Sequence, residues 1–210
     1  MTTNVVFDFG AVLFDWRPEL LVVSQFPHLA GDARQARALA SNIFHHADWQ
    51  AFDCGTLDQQ AVVQRTVQRL QLPHAEVHGL VAGIVEHLTP ITSTVDIVHR
   101  LQQRRSLRAD VRLYYLSNMP KPFARALQAR HAFLQHFDGG IFSGDVGLVK
   151  PQPEIFQLLE SRYSLSPRDT VFIDDLASNV EAARVRGWRG ILFESSALLA
   201  LELAAHLDGH

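Results

Sequence analysis

Five side chains able to do chemistry stand at or just beyond the ends of apolar runs: Asp8 after Val5-Val6-Phe7, Ser117 after Val111–Leu116, Lys150 in the loop after Gly140-Ile141-Phe142, and Asp174-Asp175 after Thr170–Ile173. Taken singly, each has an ordinary reading. Asp8 could cap a turn or pair with a buried base, Ser117-Asn118 could be a turn, Lys150 a solvated loop lysine, and Asp174-Asp175 a charge pair at a helix N-terminus. Together they describe a site. Carboxylates that converge without Cys or a His cluster form a hard oxygen site of the kind that selects Mg²⁺. Beside such a cation, Asp8 can attack phosphorus and form an aspartyl-phosphate. A serine hydroxyl, a lysine ammonium and the backbone N–H groups of the Phe9–Ala11 turn would hold the phosphoryl oxygens.

Whether these residues meet depends on the elements that carry them. The runs are apolar along their whole length and alternate with helical patterns from Thr94 onward, the signature of a parallel sheet covered on both faces with right-handed crossovers. All strands of such a sheet point one way. Asp8, Ser117 and Asp174-Asp175 then lie on one edge, where ligands bind in α/β folds. The expected class is therefore α/β, a doubly wound Rossmann-like core. Between the first strand and about Pro90 no strand is expected, only helical patterns over Glu19–Phe26, Asp32–Phe44, Asp58–Leu70 and Ala75–Leu88. The third carries a start signal in Thr56 followed by Gln59. We expect a core of residues 1–15 and 90–210 interrupted by a helical cap of residues 16–89.

Composition bounds the function. The 210 residues suit one α/β domain with an insertion. A formal charge of −3 and a pI near 6.4 give no electrostatic argument for nucleic acid or an anionic membrane. A single Cys rules out an internal disulfide, and there is no apolar run of transmembrane length. The expectation is a soluble cytoplasmic protein, monomer or homodimer, acting on a small molecule.

The stretches Phe7-Asp8-Phe9-Gly10-Ala11-Val12, Leu116-Ser117-Asn118, Val149-Lys150-Pro151 and Phe172-Ile173-Asp174-Asp175, with Asn179 beyond, resemble the ordered motifs of the haloacid dehalogenase-like hydrolase superfamily. The position of the insertion resembles the helical-cap subgroup, in particular small phosphatases that act on α-D-glucose 1-phosphate and the phosphatase domain of soluble epoxide hydrolases. The resemblance implies a Mg²⁺-dependent phosphatase for a small phosphorylated metabolite such as a sugar phosphate. Asp8 would be nucleophile and metal ligand, and Asp175 the second carboxylate ligand. The Gly10 carbonyl would be a third ligand, with Asp174 a further acid of the metal site. Ser117 and Asn118 would bind phosphate, Lys150 would pair with phosphate and Asp8, and Asn179 would orient the acidic loop.

One position departs from the family. Most of its phosphatases carry a second aspartate two residues after the nucleophile, and here that residue is Gly10. A glycine can offer its carbonyl to a metal but cannot move a proton, a step worth about 10²–10⁴-fold in rate. This leaves slow turnover, a good leaving group such as an anomeric phosphate, or a substitute such as Asp15, which otherwise reads as a hinge residue. It also leaves a catalytically degenerate binding module as the alternative. A metal-independent haloacid dehalogenase fits less well, because two extra acids would repel its anionic substrate.

Specificity should come from the cap, from Trp16 and the stretch His45–Gly55. A sugar could stack on Trp49 and bond to His46 or Asp53; alternatively Trp49 and Phe52 pack within the cap. His45-His46 is a poor metal pair, Cys54 reads as a small packing residue, and Arg100–Arg108 as a solvated helix end.

Overall fold

The computed structural model describes residues 2–208. Its sheet is made of β1 (Thr3–Phe7), β2 (Val111–Ser117), β3 (Gly139–Phe142), β4 (Thr170–Asp174) and β5 (Arg189–Leu192), all parallel, in the order β3-β2-β1-β4-β5. Phe7 is level with Tyr115 on one side and Ile173 on the other. The chain runs outward from β1 to β3, then crosses back to place β4 beside β1. This reversal opens a crevice beyond the carboxyl ends of β1 and β4.

The unbroken apolar strands follow from burial on both faces. Val5 and Phe7 join Leu113, Val171 and Ile173 in one core, while Val6 joins Leu116, Ile141 and Phe172 in another. Between β1 and β2 lie α1 (Pro18–Gln25), α2 (Ala33–Phe44), α3 (Ala47–Asp53), α4 (Gln59–Leu70), α5 (His74–His87) and α6 (Thr92–Arg108). There follow α7 (Lys121–Arg130), α8 (Ser143–Val146), α9 (Pro153–Tyr163), α10 (Ala177–Val185) and α11 (Ser196–Asp208). Residues of α6, α7 and α11 cover the first core, and those of α9 and α10 the second. No helix among the described residues is long and apolar enough to cross a membrane.

The helical block differs from expectation in two places. Helix α3 was not foreseen, since its seven residues carry no hydroxyl or acid at the cap position. The His46 ring nitrogen takes that role and accepts the Asp48 N–H at 3.1 Å. Helix α4 does not begin with the Thr56/Gln59 pair. Asp58 caps it by accepting the Ala61 N–H at 2.7 Å, and the Thr56 hydroxyl instead donates to the Ala51 carbonyl.

Candidate active site

The β1 strand delivers Asp8 into a tight turn. Its carboxylate accepts the Phe9 N–H at 2.7 Å, Phe14 donates to the Phe9 carbonyl, and Ala11 donates to the Phe14 carbonyl, with Ala11 at a φ of 57°. The N–H groups of Phe9 and Ala11 are therefore spent inside the protein. Of the three amides expected to hold phosphate, only that of Gly10 has no partner among the described residues. The Gly10 carbonyl is likewise free of backbone partners there.

Lys150 is the electrostatic centre. Its Nζ lies 2.8 Å from Asp8 Oδ1 and 2.6 Å from Asp174 Oδ2, and the residue is 4% exposed. Burial alone would lower its pKa, but Asp174 and Asp8 outweigh it and hold the ammonium above the usual lysine range. Burial pushes Asp8 up to about 7 against the opposing pull of Lys150, with Asp174 and Asp175 adding repulsion. Burial, with Asp174 beside it, pushes Asp175 up to about 6. Such a carboxylate set gains by holding a cation. Ligand atoms of Asp8, Asp174 and Asp175 all lie within 4.8 Å of one another.

The two neighbouring acids are not equivalent. Asp174 Oδ1 accepts the Leu176 N–H at 2.8 Å and the Asn179 amide at 3.0 Å, while Oδ2 accepts Lys150. Asp174 is fully buried and does not face the cavity, whereas Asp175 does. Asn179 thus orients Asp174, as expected of it. Asn118 lines the cavity, and both ends of its side-chain amide bond the Lys150 backbone. Ser117, the last residue of β2, is buried beside them and makes no side-chain hydrogen bond among the described residues.

These groups open into a cavity of about 390 Å³ that also receives residues of the helical block. Trp16, Phe44, Trp49, Ile84, Leu88 and Phe123 form its apolar wall. Trp16, Phe44, Trp49 and Phe52 stand in successive edge-to-face contacts, and Phe52 meets Phe123 in the same way at 5.4 Å. Trp49 lines the cavity but is only 5% exposed, held edge-to-face against Phe44 and Phe52. His46 is turned away to cap α3, but Asp53 lines the cavity and His45 sits at its exposed rim. Asp15 faces a different cavity, where Arg17 bonds it at 2.9 Å.

Ser143 was not anticipated as part of this assembly. At the carboxyl end of β3, its fully buried hydroxyl accepts the Met119 N–H and donates to the Asp53 carbonyl at 2.5 Å, tying the helical block to the core. The strand-end rule that identifies Ser117 applies equally to Ser143.

Comparison with known proteins agrees with this geometry. Residues 4–187 match the model of the haloacid dehalogenase-like hydrolases. The chain is 24% identical to the sesquiterpene phosphatase astK of Aspergillus oryzae over 198 residues, 94% of this chain and 93% of that one. It is 26% identical to the drimenol cyclase drtB of Aspergillus calidoustus over 92% of its own length, but spans only 34% of that protein. Among solved structures it superposes with a TM-score of 0.69, at 16% identity, on a family enzyme of Bacteroides thetaiotaomicron in complex with magnesium and inorganic phosphate, covering 91% of this chain and 93% of the other. Phosphatase relatives and the strand-end acids together make the protein an enzyme, and the chain belongs to the haloacid dehalogenase-like hydrolases.

Proposed function

We propose that the protein is a Mg²⁺-dependent phosphatase that forms an aspartyl-phosphate on Asp8, with residues 16–89 acting as a cap over the core. The observation that carries this reading is the convergence of Asp8, Asp174 and Asp175 beside Lys150, with Asp8 and Asp175 opening into a cavity large enough for a small ligand. The donor set fits a hard cation, since it is made of oxygens and its buried acids resist ionising without one. Asp8, Asp175 and the Gly10 carbonyl would hold the ion, with Asp174 positioning Lys150. Bound there, Mg²⁺ would offset phosphoryl charge during transfer.

The chain's own residues supply the rest. Lys150 keeps the attacking Asp8 oxygen in place and neutralises charge, while Ser117 and the Gly10 amide offer donors to the phosphoryl oxygens. Asp8 displaces the alcohol from phosphorus, and water then releases phosphate from Asp8.

For the substrate, the apolar wall supports a phosphate monoester of a hydrophobic alcohol better than a sugar phosphate. The name of astK, a sesquiterpene phosphatase, points the same way. The degenerate-module reading rests on Gly10 alone, and carbon-attacking dehalogenase chemistry is opposed by the Asp174-Asp175 charge. The test is phosphate release from p-nitrophenyl phosphate, farnesyl phosphate and α-D-glucose 1-phosphate, with Mg²⁺ and with EDTA. We expect metal-dependent release with the highest kcat/KM on the farnesyl ester. A preference for the glucose ester would return the substrate to the sugar phosphates, and binding without turnover would favour the module.

A further inference from the structure

An alkyl phosphate has a poor leaving group, and Gly10 cannot protonate it. Resting on the phosphatase reading above, we propose that Asp53, carried by the helical block, is the catalytic acid and base that serves the leaving-group oxygen and the attacking water. The cavity contains three carboxyl side chains among the described residues, those of Asp8, Asp53 and Asp175. Asp8 and Asp175 belong to the acidic cluster and Asp53 does not.

The placement of Asp53 has no ordinary structural explanation. It is the last residue of α3, where the helix dipole disfavours a carboxylate, and its carboxyl makes no hydrogen bond or ion pair among the described residues. Its backbone, in contrast, is fixed. The Ser143 hydroxyl bonds its carbonyl, Phe52 packs edge-on against Phe123, and Gly55, at a φ of 79°, passes so close to Gly144 that a β-carbon there would lie 2.6 Å from the Gly144 carbonyl oxygen. These contacts aim one unpartnered acid into the chamber that holds Asp8. Burial, with the Asp8 charge nearby, raises the Asp53 carboxyl above the usual carboxylate range against the opposing pull of Lys150.

The step balances. As Asp8 bonds to phosphorus and the phosphorus–alcohol bond breaks, the Asp53 carboxyl gives its proton to the departing oxygen. The carboxylate so formed takes a proton from the water that attacks phosphorus, the Asp8–phosphate bond breaks, and both side chains return to their starting states.

The test compares kcat/KM for hexyl phosphate, whose alkoxide needs a proton, with p-nitrophenyl phosphate, whose phenolate does not. Asp53→Asn should lose about 10²–10⁴-fold on the hexyl ester and less than about tenfold on the aryl ester. Adding Gly10→Asp should restore the hexyl activity, because a β-carbon at Gly10 would meet Trp16 only at 3.8 Å and the residue has no left-handed φ. Equal losses on both esters, or selective loss in His45→Gln in place of Asp53→Asn, would overturn the proposal. So would an active wild type unaffected by Asp53→Asn, with the phosphatase reading left standing. A folded wild type inert toward both esters would remove that reading and this one with it.

Discussion

Asn118 and Lys150 are joined twice: the Asn118 amide oxygen accepts the Lys150 backbone N–H at 2.8 Å, and the Asn118 NH₂ donates to the Lys150 carbonyl at 2.9 Å. This clamp fixes the loop that carries the ammonium between Asp8 and Asp174. Asn118→Ala should therefore cost about 1–3 kcal/mol of stability by leaving Lys150 backbone groups unpaired. Displacing the ammonium should lower kcat/KM by up to about 10²-fold. Urea unfolding and steady-state kinetics check the two effects, and an unchanged kcat/KM would mean that the clamp is not what positions Lys150.

Lys150 itself neutralises two buried acids. Lys150→Met should destabilise the metal-free protein by about 3–5 kcal/mol, because two carboxyl groups lose their counter-charge. The loss should be smaller near about pH 5 than near about pH 8, since protonation relieves the uncompensated charge. Denaturant midpoints at the two pH values, without metal, measure the difference.

The pH dependence of stability follows from Asp8. Unfolded, its carboxyl releases a proton near 3.8; folded and metal-free, near about 7. Between those values the folded chain binds more protons than the unfolded one, so Asp8 subtracts stability progressively as pH rises, with the full cost reached above about pH 7. Asp8→Asn lacks this group and should gain on the wild type over the same interval. Mg²⁺ binding, which requires the ionised acids, should raise the melting temperature more near about pH 8 than near about pH 5. Equal shifts at both pH values would contradict the placement of the cation at these acids.

Gly55 tests the docking of the helical block on the core. Its left-handed backbone and its approach to the Gly144 carbonyl leave no room for a methyl group. Gly55→Ala should cost about 1–2 kcal/mol for the backbone conformation. By lifting α3 from α8, it should also reduce kcat/KM on alkyl phosphates more than on aryl phosphates. A variant with unchanged ester selectivity would separate this contact from catalysis.

Much of the site was legible because topology fixes it. Strands buried on both faces and crossed over in one hand must bring Asp8, Ser117 and Asp174-Asp175 to one edge, and periodicity reveals such strands without coordinates. The clamp that Asn118 makes on Lys150 was not legible, because its partner is the backbone of a residue 32 positions away and backbone groups leave no mark in a sequence. The resemblance separates Asp175 from Asp174 but not the partners that satisfy Asp174, which are Lys150, Asn179 and the Leu176 amide. Helix α3 escaped notice because it is short and capped by a histidine ring, and with it went the exact bearing of Asp53. Gly55, two residues beyond the end of α3, is the one local sign that a helix stops there.

The proposed chemistry depends on Asp8 being the nucleophile. The measurement that tests it most directly is Mg²⁺-dependent phosphate release by wild type and by Asp8→Asn, on p-nitrophenyl and farnesyl phosphates, with folding of the variant confirmed by circular dichroism and cooperative unfolding. Turnover is expected from the wild type, and none detectable from the folded variant on either ester. Release by Asp8→Asn at a rate comparable to the wild type would contradict it.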